Sequence, residues 1–202
     1  SFHGFFDGQN HKITAVHPVL VSNSFYPMQS YGLFGNAGSE SIIKNLTVTG
    51  GTQIAPSSTT NTLYAGGVVG STNGRVENVQ TNFNISASDA SYYDVQSLYA
   101  GGICGKGNIV TNAKSSGKIG LAYANVQWRI GNQGGIGGIV GRGGNINKAQ
   151  SDCVISVWGK NMTAVGGIVG EGLDCNVDNA CFYGSLSIQQ DIWYNPSAFL
   201  TA

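Results

Sequence analysis

Along the chain, apolar positions come in runs of two to five residues, such as Leu33-Phe34, Val68-Val69, Ile103-Cys104, Ile139-Val140 and Ile168-Val169, each closed off by Gly, Asn or Ser. No i, i+3, i+4 apolar stripe persists beyond a single turn, so helices are not expected. Short β-rich runs bounded by turn residues predict strands.

The runs are copies of one another. Tyr31-Gly32-Leu33-Phe34-Gly35 returns as Ala65 to Gly70 (AGGVVG), Ala100 to Gly105 (AGGICG), Ile136 to Gly141 (IGGIVG) and Val165 to Gly170 (VGGIVG). The starts at 31, 65, 100, 136 and 165 are separated by steps of 34, 35, 36 and 29. A second segment follows each copy: Ile43-Lys44-Asn45, Val76-Glu77-Asn78, Val110-Thr111-Asn112, Ile146-Asn147-Lys148 and Val177-Asp178-Asn179. A third comes next: Thr52-Gln53-Ile54, Phe83-Asn84-Ile85, Gly117-Lys118-Ile119, Val154-Ile155-Ser156 and Leu186-Ser187-Ile188.

Three short strands per coil, repeated every thirty residues or so, predict an all-β fold: a parallel β-helix of about five coils over residues 31–188. An opening strand and capping loop occupy 1–30, and an apolar tail 189–202. Successive coils stack ~4.8 Å apart with equivalent strands in parallel pairing. The paired glycines serve close backbone approach or a bend at a corner. Asn45, Asn78, Asn112 and Asn179 then stack as a ladder of side-chain amides, interrupted where Lys148 stands. Period variation falls in Ser86–Leu98 and Gly120–Gly135, which are read as lateral loops.

The opening Phe5-Phe6-Asp7-Gly8-Gln9-Asn10-His11-Lys12-Ile13, the YGLFG string and the GG-[IV]-[VC]-G copies resemble the GLUG-motif repeat proteins. The likeness runs from Phe2 to about Ile188. It implies a right-handed β-helix and a place in secreted or surface-anchored, adhesin-like proteins, and it implies no catalytic residues. Lys148 and the cysteine-bearing copies depart from the common pattern.

Composition narrows the function. Charged residues make up 10% of the chain and the net charge is zero, which gives no electrostatic basis for binding nucleic acid. No apolar run approaches the ~20 residues of a membrane-spanning helix, so membrane insertion is not expected. The chain starts without Met, directly in patterned sequence, and reads as a processed chain or an excised fragment.

Polysaccharide-active β-helices need clustered carboxylates. The ten acids here are dispersed, and Glu77 and Asp178, equivalent by repeat, are three coils apart. No catalytic residue, metal or cofactor is expected. Glu171, Asp174 and Asp178 form the densest acidic group; a solvated turn is favoured over a weak calcium site. His3, His11 and His17 are read as surface or cap residues.

Cys153, Cys175 and Cys181 are disulfide candidates, whereas Cys104 lies inside a repeat strand and reads as a small buried hydrophobe. Glycosylation triplets begin at Asn45, Asn84 and Asn161, with Asn45 in conflict with its ladder position. Aromatics gather in presumptive loops and ends: Phe25, Tyr26, Tyr92, Tyr93, Tyr99, Tyr123, Trp128, Trp158, Trp193 and Tyr194. They are available for sugar stacking or for sealing the flank. The expected role is an extracellular structural or adhesive solenoid, glycosylated and stacking end to end on copies of itself or on neighbouring domains. The alternative is a glycan-binding module that uses the loop aromatics.

Overall fold

The computed structural model describes residues 1–22, 28–56, 60–87, 95–121, 133–159, 164–172, 174–190 and 199–201. Among them the regular structure is all strand and every strand pairing is parallel. After β1 (Phe5–Ser22), the first coil holds β2 (Met28–Tyr31), β3 (Phe34–Ala37) and β4 (Ile42–Pro56). The second holds β5 (Thr60–Gly66), β6 (Val69–Thr72) and β7 (Arg75–Ala87). The third holds β8 (Val95–Gly101), β9 (Cys104–Lys106) and β10 (Ile109–Leu121). The fourth holds β11 (Gln133–Gly137), β12 (Val140–Gly143) and β13 (Asn145–Gly159). Then come β14 (Ala164–Gly166), β15 (Val169–Gly172), β16 (Val177–Phe182), β17 (Ser185–Gln190) and β18 (Phe199–Thr201).

The strands stack into three sheets. In the first the order is β18-β14-β11-β8-β5-β2, in the second β15-β12-β9-β6-β3, and in the third β1-β4-β7-β10-β13-β16, with β17 also on β13. From β3 to β15 there are four coil-to-coil steps, so five motif copies make a β-solenoid of about four turns. Pairing follows the repeat: Tyr31 faces Ala65, Ala65 faces Ala100, Ala100 faces Ile136 and Ile136 faces Val165.

The division into strands differs from the sequence expectation. Each GG-containing segment is split between two sheets, while the second and third segments form one long strand of the third sheet in the first four copies and two strands, β16 and β17, in the last. The reason lies in the backbone. Asn45, Asn78, Asn112, Lys148 and Asn179 have φ of 55, 51, 51, 56 and 51°, so each bends its strand without ending the sheet pairing on either side. Register in the third segment also shifts, since Ile85 pairs with Thr52 while Ile54 pairs with Ala87. The opening strand runs from Phe5 to Ser22, over much of the 1–30 segment, and pairs with β4. Part of the apolar tail is a strand as well: Leu200 pairs with Val165.

Two glycine columns explain the repeated string. A Cβ on Gly70, Gly105, Gly141 or Gly170 would lie 2.4, 2.4, 2.5 or 2.3 Å from the backbone nitrogen of Tyr31, Ala65, Ala100 or Ile136. The second-sheet strand therefore lies directly against the first-sheet strand of the preceding coil, backbone to backbone. Across the core, a Cβ on Gly102, Gly138 or Gly167 would come 2.8 Å from the Cβ of Ser115, Ser151 or Phe182. The interior is filled by rows such as Ile43, Val76, Val110 and Ile146, all buried. A polar row crosses it: Thr81 Oγ1 donates to Gly102 O (3.0 Å) and Ser115 Oγ to Gly138 O (2.5 Å). These bonds satisfy hydroxyls that would otherwise be buried without partners.

Candidate functional site

The bend in the third sheet carries the asparagine column. Asn78 Nδ2 donates to Asn45 Oδ1 (2.7 Å) and Asn112 Nδ2 to Asn78 Oδ1 (3.0 Å). Asn45 Nδ2 in turn donates to Asp7 Oδ1 (3.0 Å) on β1. Asn is suited to this place twice over, because it tolerates the left-handed region and its amide both donates and accepts. Asp7 ends the column with a pure acceptor. Its Oδ1 also accepts from the backbone N–H of Gln9 (2.9 Å), and Lys44 Nζ stands 3.7 Å from Oδ2. The Gln9 bond first, then the Asn45 amide, hold the Asp7 carboxyl below the usual carboxylate range.

At Lys148 the column stops, since an ammonium has no acceptor to offer. Asn179, expected as a fourth rung, is separated from Asn112 by that lysine and donates to its neighbour Asp178 Oδ2 (2.8 Å). The column also lies on the outside of the coil and not in its interior: Asn78 and Asn112 are exposed.

Beside it runs a cleft of about 350 Å³ spanning four strands, β7, β10, β13 and β16. One wall is the bend column (Asn78, Asn112, Lys148, Asn179) and the other is the column two residues on (Gln80, Lys114, Gln150, Cys181). The small residues Ala113 and Ala149 lie between them. Lys114 Nζ is 3.8 Å from Asp152 Oδ2, and Gln150 Nε2 donates to Asp152 (3.0 Å to Oδ1). No hydrogen bond or ion pair with any described residue engages the Lys148 ammonium. The second wall is legible as a long polar residue two places after the bend in three consecutive copies, Gln80, Lys114 and Gln150, a pattern that contains no acid.

A second cluster bridges the first and second sheets. Tyr64 and Tyr99 stack at 5.3 Å between centroids, and the Arg142 guanidinium sits 5.1 Å from the Tyr99 centroid. Arg142 Nε is 3.6 Å from Glu171 Oε2. Gly135 continues the tyrosine row, and its missing side chain leaves the place beside Glu171, whose Cβ would be 3.0 Å away. Tyr99 was expected in a loop; it is in β8 and fully buried, because Leu63-Tyr64-Ala65 and Leu98-Tyr99-Ala100 are equivalent strand positions. Neither Tyr99 Oη nor Glu171 Oε2 has a hydrogen-bond partner among the described residues. Burial, reinforced by the Glu171 charge, pushes the Tyr99 hydroxyl up to about 12.

The other candidates are dispersed. No disulfide joins Cys153, Cys175 and Cys181: all are free thiols. Cys153 is buried in the third sheet, where its Sγ donates to Gly138 O (3.6 Å), and burial pushes its thiol up. Cys104 is fully buried in β9. Asn45, a glycosylation candidate, has its amide nitrogen bonded to Asp7 and its oxygen to Asn78, so a glycan there would break the column. Asn84 is exposed on β7 and its Oδ1 accepts from Lys118 N (2.8 Å). Asn161 lies outside the described residues.

Glu171 pairs with Arg142 and Asp178 with Asn179, and among the described residues no group of three or more His, Cys, Asp or Glu comes together. His3 and His11 are exposed; the side chain of His17 lies outside the described set. So do Phe25, Tyr26, Tyr92, Tyr93, Tyr123, Trp128, Trp193 and Tyr194, the side chain of Trp158 and most of both lateral loops. Compared with protein-family models, with curated proteins and with solved structures, the chain matches none of them.

Proposed function

We propose that the chain is a structural or adhesive module of an extracellular or cell-surface fibre, without enzymatic activity, that extends by stacking further coils along its axis. The observation that carries this reading is the fate of one inward row. Ile43, Val76, Val110 and Ile146 are 0 to 1% exposed, yet Val177, the next member, is 45% exposed on β16. The row is built to be covered, and another β-strand supplies the apolar cover together with partners for the open edge. At the opposite end Phe2 and Phe6 pack on Phe34 (5.0 and 5.2 Å), while Phe5 stays 61% exposed. Near-zero net charge suits close axial contact between like chains. The GLUG-like strings support a surface location, and a second copy of this chain is the proposed axial partner.

Negative-stain electron microscopy and sedimentation over a concentration series test the stacking. Wild-type protein forms end-to-end assemblies as concentration rises, and Val177→Asp suppresses them. A monodisperse monomer at high concentration would remove the stacking claim, and antibody labelling confined to permeabilised cells would remove the surface location.

A further inference from the structure

A binding cleft for an acidic polysaccharide runs along the asparagine bend, and we infer that Lys148 is its anion-reading residue. Lys148 breaks two rules that its equivalents obey. It holds φ at +56°, a region where Asn is enriched and a long aliphatic side chain gains nothing. It also replaces a rung of the column, so Asn112 and Asn179 lose their link. Strain and missing bonds that the fold itself does not repay are expected at functional positions.

The surroundings say what is bound. The Lys148 ammonium is exposed and engages no described acid, while Asp152, further along the same strand, is already held by Lys114 and Gln150. An anionic group completes this set with a charge-assisted bond. Around it stand carboxamides, from Gln80 and Asn112 to Gln150 and Asn179; three of their nitrogens already donate within the protein, which leaves mainly their oxygens to accept from ligand hydroxyls. They come from four successive coils, spaced ~4.8 Å apart, and are shared between the two walls. A ligand with a short regular repeat, many hydroxyls and intermittent carboxylate or sulfate groups matches this array: an extended acidic glycan lying parallel to the solenoid axis. A nucleic acid fits less well, since the chain has no net positive charge and the cleft no described aromatic to stack a base. This site is independent of axial stacking, because it lies on the flank of the coils.

The test uses calorimetric titration with polygalacturonate oligomers (carboxylated), heparin-derived oligosaccharides (sulfated), neutral dextran and single-stranded DNA. At least one acidic glycan binds saturably, and which one identifies the anionic group. Lys148→Asn weakens that binding about tenfold, the loss of one charge-assisted hydrogen bond, whereas Lys148→Arg retains it. Lys148→Asn restores the rung present in other coils, so it melts at or above the wild-type temperature and misfolding cannot account for lost binding. Absence of saturable binding to both acidic glycans overturns the inference. So does equal binding of dextran or DNA, or an unchanged affinity in Lys148→Asn.

Discussion

Two of the turns in each coil are made by opposite means. At the glycine corner, between the first and second sheets, side chains have been removed so that backbones of neighbouring coils touch: a Cβ on Gly105 would sit 2.4 Å from Ala65 N. At the asparagine bend, side chains have been added that bind one coil to the next, as Asn112 does to Asn78. The corner is sterically absolute, because backbone cannot move aside. The bend is held by a few exposed hydrogen bonds, each worth about 1 kcal/mol. It therefore tolerates exceptions such as Lys148, and a surface that tolerates exceptions is free to acquire a ligand.

Gly105→Ala should break the corner outright, lowering stability by about 4 kcal/mol or more, or preventing folding, as read by urea denaturation. A loss under about 1 kcal/mol would show that the corner opens easily. At the bend, Asn78→Ala removes a rung bonded on both sides and puts a residue that lacks the tolerance of Asn for the left-handed region at φ of 51°, for a loss of about 2 kcal/mol. Asn78→Gly keeps the backbone conformation and loses only the amide, so it should cost about half as much. A loss near zero in Asn78→Gly would mean that the column contributes nothing beyond conformation.

Two pH effects sharpen the contrast further. Tyr99, near the corner, has a folded pKa of about 12 against an ordinary 10.0. Its raised value means that the unfolded chain releases the proton first, so stability falls as pH rises from about 10 towards 12. Tyr99→Phe should flatten that part of the alkaline slope. Asp7, at the end of the bend column, has a lowered pKa. Its contribution is present above the unfolded value of 3.8 and lost as pH falls through the folded value, and Asp7→Asn should remove this small acid-side slope.

Much of the fold was legible because the repeat itself fixes register: Ala65, Ala100 and Ile136 pair as the strings align. The strand boundaries were not. A left-handed Asn and a chain-breaking turn look alike in sequence, whereas it is the Gly-Gly of the repeated string, where side chains are excluded, that marks the change from first to second sheet. Three rungs of the column were readable, but its terminal acceptor was hidden. Asp7 reaches Asn45 because β1 carries extra residues at its bend, with both Gln9 and Asn10 at positive φ. The cleft was missed because its chemistry is carboxamide and ammonium, which no catalytic spacing rule selects. The tyrosine pair was visible as a repeated Leu-Tyr-Ala-Gly-Gly, but its cover by Arg142 and Glu171 comes from residues one to three coils away.

Side-chain amide hydrogen exchange, followed by NMR in the wild type and in Lys148→Asn, tests the interrupted column most directly. Exchange is expected to be slow at Asn45, Asn78 and Asn112 and rapid at Asn179 in the wild type, with Asn179 becoming protected once the lysine is replaced. Uniformly rapid exchange at all four, or an Asn179 indifferent to the substitution, would contradict it.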